Sequence, residues 1–465
     1  MKHLLQIVFA VLSASGPLQA QGLRVEKDSL AQVWARARQQ NKPVLVLLAP
    51  PPPPANLPPA LRKSRTESGL MAPAVVAALN KDFLIKELAF GSAESAAVVR
   101  QYTVSQWPTY LYFDPDGSLL YRSAGNAPLP QRYLNDLRAV REAQASPQNL
   151  SYFQTAFRQG NRSVDFLKGY IGKRRQLGQL VEPALLDAYV QQLPVHALDR
   201  AAEVVFILEN GPVVGSRAQQ LTRLNQKLYD SLYKALPAAR RFAINDAIIT
   251  NTLAQAITAN DRNLAALGAD FARRTWDNNF LLGSAAYERN MLRFYGATKD
   301  TTSFLRAAIS FYERKYMAVS ADSARKAVAA LQAFRQEQAA TIRRLANAKK
   351  GAGPAGSGVT TVRPVAVGGA PLSFLQELNN GAWAVYQTGT RNGLYLWRAV
   401  QWSKRTVDLD PAAYNYDTLA HLLYRLRFYS EAEAMQRQAL AAARGEGAAA
   451  AGYERELEKI KKRTR

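Results

Sequence analysis

The 465 residues include no cysteine. The fold can draw on no disulfide, so packing alone must hold it, and that favours larger helical units over a small stapled scaffold. A chain of this length exceeds what one hydrophobic core organises, and about two to four packed units are expected. The same absence excludes thiol–disulfide exchange through a cysteine, because the nucleophile of that reaction is a thiolate.

Residues 1–20 read as an export signal. Lys2 and His3 open it, Leu4 to Leu12 is mostly apolar, and Leu18-Gln19-Ala20 precedes a cut before Gln21. A buried N-terminal helix is the alternative for the same stretch. The apolar core is too short to span a bilayer, and no later segment reaches the roughly 18 uninterrupted apolar residues that spanning needs. The expectation is an exported chain, periplasmic or secreted, with no transmembrane segment once the signal is removed. Lipid anchoring through a cysteine is excluded.

Sixty Lys and Arg against 36 Asp and Glu give a formal net charge of +24. The basic clusters are short and dispersed: Lys173-Arg174-Arg175, Arg240-Arg241, Arg273-Arg274, Arg343-Arg344, Lys349-Lys350 and Lys461-Lys462-Arg463. A nucleic-acid footprint concentrates its charge and carries zinc-finger spacing, an aromatic RNA-binding signature or a basic region leading into heptads. None of these occurs, so no specific nucleic-acid partner is expected. Charge alone implies a weak, salt-sensitive attraction to anionic envelope polymers or acidic proteins.

Residues 24–143 read as an α/β unit. Leu30, Val33, Trp34 and Ala37 stand at helical spacing, and Asn41-Lys42-Pro43 ends that helix. Val44-Leu-Val-Leu-Leu48 suits a strand buried on both faces. A helix near Ala72–Asn80, an apolar run at Phe83–Ile85 and a helix over Ser92–Tyr102 follow. Thr109–Phe113 and Ser118–Arg122 flank Asp114-Pro-Asp-Gly117, whose turn chemistry predicts a hairpin. A helix from Pro130 to about Ala143 closes the unit.

Asn41-Lys-Pro-Val-Leu-Val, Ala77-Ala-Leu-Asn-Lys-Asp-Phe-Leu, Tyr102-Thr-Val-Ser-Gln-Trp-Pro-Thr and Tyr112-Phe-Asp-Pro-Asp-Gly stand in thioredoxin order and spacing. With the opening and closing helices, this stretch of about 120 residues resembles an exported bacterial thioredoxin-like domain. By position, the cysteine pair of active relatives would fall near Pro53 and Asn56. In those relatives the first cysteine sits at a helix N-terminus, where the dipole lowers its pKa. Here Ala49-Pro-Pro-Pro-Pro-Pro-Ala-Asn56 marks a former active-site loop instead. A helix is expected after Asn56, with Asn56 as N-cap and Pro58 and Pro59 in its first turn. The Pro50–Pro54 run favours a stiff polyproline II segment. It reads either as a docking ligand or as a rigid loop filling the lost site. Trp107-Pro108-Thr109 matches the family's cis-proline loop. The resemblance implies that Trp107, Pro108 and Thr109 border a groove for extended polypeptide, by strand addition. Alternatively, Pro108 only shapes the fold and Trp107 packs over the vacant site.

Residues 147–347 turn helical. Apolar and aromatic residues recur at three- and four-residue steps, as at Phe166-Leu167, Tyr170-Ile171, Leu185-Leu186, Tyr189-Val190, Ile248-Ile249 and Leu305, Ile309 and Tyr312. Breaks are expected at Gly160, Gly178, Pro194, Gly211-Pro212, Pro237 and Gly296, which suits an array of antiparallel helix pairs. Aromatic stripes at this spacing read as core, not as a cofactor site. Residues 348–371 read as a flexible linker, since its glycines follow no strand and meet no Gly-Lys-Ser/Thr. In 372–465, Asp417 to Leu440 resembles a tetratricopeptide repeat, with Ala420, Ala432 and Ala439 as its small packing residues. A looser copy lies upstream between Leu378 and Pro411, and Tyr453–Arg465 reads as a charged capping helix.

No Gly-x-Ser-x-Gly elbow and no His-Glu-x-x-His motif occurs. His196 and His421 are far apart in sequence, so no metal cluster is expected. Asp114 and Asp116 read as a turn, and Glu431 and Glu433 as a solvated helix face. The fold expectation is an α/β thioredoxin-like domain followed by an all-α helical array with tetratricopeptide-like repeats. The functional expectation is a non-catalytic, cofactor-free adaptor or chaperone-like protein binding a protein or extended polypeptide. The alternative is a cationic protein held by anionic envelope polymers, and a thioredoxin-family oxidoreductase stands third.

Overall fold

The computed structural model describes residues 22–50, 68–330, 332–333, 336–337, 340, 374–445 and 450–464. The predicted signal, Pro53, Asn56 and the helix expected after it, and the 348–371 linker all lie outside the described residues. Two compact units emerge. Of the described residues, the first takes 22–50, 68–160 and 173–179, and the second takes 161–172 and those from 180 onward.

The first unit is a small mixed sheet with helices. Helix α1 (Leu30–Gln40) is started by a capping box, in which the Ser29 side chain accepts from the Gln32 amide and Gln32 reaches back. Asn41, in the left-handed region at φ 47°, stops it where the Asn-Lys-Pro sequence predicts. Strand β1 (Val44–Leu48) is buried along its whole length, as an apolar run with no polar alternation requires. A 3-10 turn at Gly69–Met71 leads into α2 (Pro73–Asp82), β2 (Leu84–Leu88) and α3 (Ala93–Gln101), which Ser92 caps by accepting from the Ser95 amide. Then come β3 (Thr109–Phe113), β4 (Leu119–Ala124), α4 (Pro130–Ala145) and α5 (Leu150–Arg158).

The strands lie in the order β2-β1-β3-β4. β1 runs parallel to β2 and antiparallel to β3, and β3 is antiparallel to β4. The β3–β4 hairpin closes through Asp114–Gly117, with Gly117 at φ 93° and the Asp116 carboxylate accepting from the Ser118 amide at 2.7 Å. Period-2 alternation divides the core. Leu45, Leu47, Ile85, Tyr110 and Tyr112 pack with Val75 and Leu79 of α2 and Tyr133, Leu137 and Val140 of α4. On the other face Phe113 meets Trp34 of α1 edge-on at 5.0 Å and Tyr102 at 5.4 Å.

The second unit is helical among its described residues. It runs through α6 (Val164–Gln176), whose last residues fall in the first unit's 173–179, then α7 (Pro183–Gln192), α8 (Ala201–Glu209), α9 (Arg217–Leu221), α10 (Gln226–Ala235) and α11 (Ala238–Ala259). It continues through α12 (Arg262–Arg274), α13 (Phe280–Ala297), α14 (Thr301–Tyr312) and a π-helical turn at Glu313–Met317. Then α15 (Phe374–Gln387), α16 (Gly393–Leu409), α17 (Ala413–Arg425), α18 (Tyr429–Gly445) and α19 (Ala451–Lys461) follow. One hydrophobic core extends from Ala256 and Ala265 through Phe311 and Tyr312 to Trp402 and Leu422. Ala420, Ala432 and Ala439 are all fully buried, as close helix packing at these positions requires.

The expected breaks fall between helices at Gly160, Gly178, Pro194, Gly211 and Pro237, and Gly296 is the penultimate residue of α13, which ends at Ala297. Among the described residues no helix is long and apolar enough to cross a membrane.

Candidate functional site

The register places four chain ends at one edge of the sheet. Leu48 of β1 pairs with Leu88 of β2 and Thr109 of β3, and Thr109 pairs with Ala124 of β4. Trp107 and Pro108 stand just before β3 at this edge, joined by a cis peptide bond. Ala49, whose amide donates to the Leu88 carbonyl at 3.0 Å, leaves β1 at the same edge. Pro53 and Asn56 lie outside the described residues.

Each of the three candidate residues has a distinct setting. Thr109 is fully buried, and its hydroxyl donates to the Gln106 carbonyl, which ties the approach loop to the strand. Pro108 is buried and its carbonyl accepts from the Gly125 amide at 2.8 Å. Trp107 is only half-buried, and its indole meets Phe90 edge-on at 5.0 Å. Phe90 follows β2 and is 49% exposed. The edge thus presents Phe90 to solvent, with part-buried Trp107 against it and a buried proline and threonine next in the chain.

The loop after β4 is pinned from α4. Arg132 donates to the carbonyls of Ala124 at 3.0 Å and Gly125 at 2.9 Å, with its guanidinium 5.0 and 4.8 Å from the ring centres of Tyr110 and Tyr133. Buried Asp136 accepts from Ser123 at 2.7 Å and Tyr121 at 3.1 Å, with Arg132 at 3.4 Å. The Tyr133 hydroxyl accepts from the Ala127 amide and donates to Asn126. Burial first, and the Tyr133 hydroxyl second, push the Tyr110 phenol far above its ordinary value, so it stays neutral. At Gly69 the backbone passes so close that a Cβ would lie 2.4 Å from the Leu129 carbonyl carbon. This edge is a rigid platform.

A second feature of this unit lies at the other end of the sheet. A cavity of about 220 Å³ sits between α1, α3 and the sheet, lined by Trp34, Arg38, Val46, Tyr102, Phe113 and Gly117. Burial pushes the Tyr102 phenol up to about 12, with Arg174 acting in the opposite direction.

The sequence motif pointed to Trp107, Pro108 and Thr109, which the structure holds together at the sheet edge. It did not point to Phe90, Arg132 or Tyr133. Phe90 carried a signal, an aromatic placed after a strand and directly before Gly91-Ser92, where burial is not expected. No group of three or more metal-ligating side chains forms among the described residues. No model of a known protein family matches the chain, and no curated protein matches it.

Proposed function

We propose that the chain is an exported, non-catalytic adaptor or chaperone-like protein. In this reading the α/β unit is thioredoxin-like but lacks the cysteine pair, and its Trp107-Pro108-Thr109 edge receives an extended polypeptide. The tetratricopeptide-like helices of 372–465 then serve a second protein. The reading is carried by one observation, exposed Phe90 packed on part-buried Trp107 beside the pinned end of the sheet. An exposed aromatic on a fixed platform gains when a partner desolvates it. The mixed sheet with its third strand antiparallel, and the loop from Gln106 into β3, support the thioredoxin-like part.

The test compares full-length chain with Trp107→Ala and Trp107→Phe in affinity capture from envelope extract, washed at about 0.3 M salt. A discrete protein should be retained by the unaltered chain and by Trp107→Phe, and lost by about tenfold or more with Trp107→Ala at unchanged melting temperature. Equal retention by Trp107→Ala sinks the groove reading.

The net charge of +24 favours a second reading, attachment to anionic envelope polymers. It is distinguished by complete loss of retention in the same salt wash, since counterion screening removes diffuse attraction and leaves a packed interface.

A further inference from the structure

We infer that the helical unit carries a peptide site of its own, independent of the reading at Trp107: a cleft of about 730 Å³ that takes a short extended segment combining apolar and acidic side chains. Its walls come from α10, α11, α12 and the residues around α9. Helical periodicity assembles it. Tyr229 and Tyr233 stand one turn apart on α10, Arg241, Phe242 and Asn245 share a stripe of α11, and Leu267, Phe271 and Arg274 share one of α12.

The tyrosines stack at 5.7 Å and 16°, and the Arg223 guanidinium lies 5.1 Å from the Tyr229 ring centre. The Tyr233 hydroxyl donates to Asn245, and Arg241 donates to the Tyr233 carbonyl at 3.3 Å. The wall is therefore pre-ordered, which lowers the entropic cost of binding. No residue of α10 is fully buried, although Leu228, Tyr229, Leu232 and Tyr233 all lean on the Val204–Ile248 cluster. At the lip stand Phe242, 69% exposed, and Leu267, 52% exposed.

The chemistry of the lining selects the occupant. Arg223, Lys234 and Arg241 offer cations, and Arg274 is paired with Asp270 at 2.7 Å. Asp230 and Asp277 are interspersed among them. A uniformly charged polyanion would set its negative groups against those carboxylates and leave Phe242, Leu267 and Phe271 without an apolar partner. A peptide with one or two acids beside a Phe or Leu satisfies both features, with its apolar side chain in the aromatic wall and its carboxylates on the arginines. The volume lies within the range of ligand clefts, about 300–1,000 Å³.

The experiment is fluorescence anisotropy on the full-length chain at about 150 mM salt. The probes are three fluorescein-labelled peptides placing Phe-Leu before, between or after Asp-Asp, with controls whose Asp-Asp is Asn-Asn or whose Phe-Leu is Gly-Ser. At least one acidic-apolar peptide should bind saturably below about 100 μM, and both controls about tenfold more weakly. Phe242→Ser, a change at an exposed position, and Arg241→Ala should each weaken binding about tenfold with an unchanged circular dichroism spectrum. Trp107→Ala should leave this affinity unaltered.

Three results overturn the inference. The first is no saturable binding of any peptide up to about 1 mM. The second is binding insensitive to Phe242→Ser. The third is heparin binding that falls with Arg241→Ala while the two control peptides bind as well as the parent, which assigns the cleft to polyanions. Should Trp107→Ala abolish peptide binding and Phe242→Ser leave it intact, the sheet edge is the peptide site and the cleft is not.

Discussion

Asp114 shows how one residue can serve a turn and still cost stability. It sits at the first position of the β3–β4 hairpin turn, where its carbonyl accepts from the Gly117 amide at 2.9 Å. Burial, and then the neighbouring Asp116, hold its carboxyl above the usual carboxylate range, while donation from the Gln144 amide acts the other way. A carboxyl raised in the folded state favours the protonated form. Its destabilising contribution is therefore complete at neutral pH and disappears as the pH falls through the folded value and then the unfolded one. Asp114→Asn keeps the turn geometry and the acceptor for Gln144. It should raise the melting temperature slightly at pH 7 and leave it unchanged near pH 3, as differential scanning at the two pH values would show. At this scale the sequence was legible wherever chemistry is local. Pro-Asp-Gly announced the turn, Asn41 the end of α1, and Trp-Pro-Thr the cis bond before β3. Phe90 was legible only from its place between a strand end and Gly91-Ser92, because an exposed aromatic there has no periodicity to betray it. His421 looked isolated in the chain, yet it is buried edge-on against the stacked rings of Trp383 and Tyr386, with Asp417 and Glu456 within 4 Å. Those neighbours come from three helices, and only Asp417, one turn back on His421's own helix, is visible in a local pattern.

Between elements, what decides is how closely two backbones approach. Gly381 of α15 faces the Tyr312 ring, and a Cβ there would lie 2.5 Å from two ring carbons. The ring has no room to retreat. It lies 5.0 Å from Trp402 and 5.6 Å from Tyr316, and Trp402 is itself fixed by donating its indole N–H to Glu313 at 2.8 Å. Alanine is the better helix former by about 1 kcal/mol, but overpacking costs about 1–3 kcal/mol. Gly381→Ala should accordingly destabilise the helical unit by about 1 kcal/mol, read as a lowered urea midpoint at unchanged slope. An unchanged midpoint would mean that α14 and α15 can move apart freely. Strand β1 was legible from its unbroken apolar run, and most helix ends from Gly and Pro. The cleft on α10–α12 was not. Helical spacing reports which side chains share a face, and it says nothing about whether another element covers that face. Aromatics such as Tyr229, Tyr233 and Phe242 follow the same spacing rule as core residues and yet line an open cleft.

For the molecule as a whole, the absence of cysteine leaves aromatic packing to supply much of the order. Each compact unit is built around tyrosines that stay inside it: Tyr110 and Tyr112 in the α/β unit, Tyr189 and Tyr312 in the helical one. Burial is the leading cause that pushes all four phenols well above their ordinary value. A phenol raised in the folded state contributes stability that is intact below its unfolded value of about 10 and is lost as the pH climbs through the folded value. The molecule therefore carries its own optical gauge of integrity. Phenolate absorbs near the red edge of the protein spectrum, so in alkali the surface tyrosines should ionise at once and reversibly. The buried ones should appear only as their unit opens, in a slow, cooperative second rise that stopped-flow absorbance separates from the first. A single rapid, reversible rise accounting for all 21 tyrosines would show that these interiors admit hydroxide without unfolding.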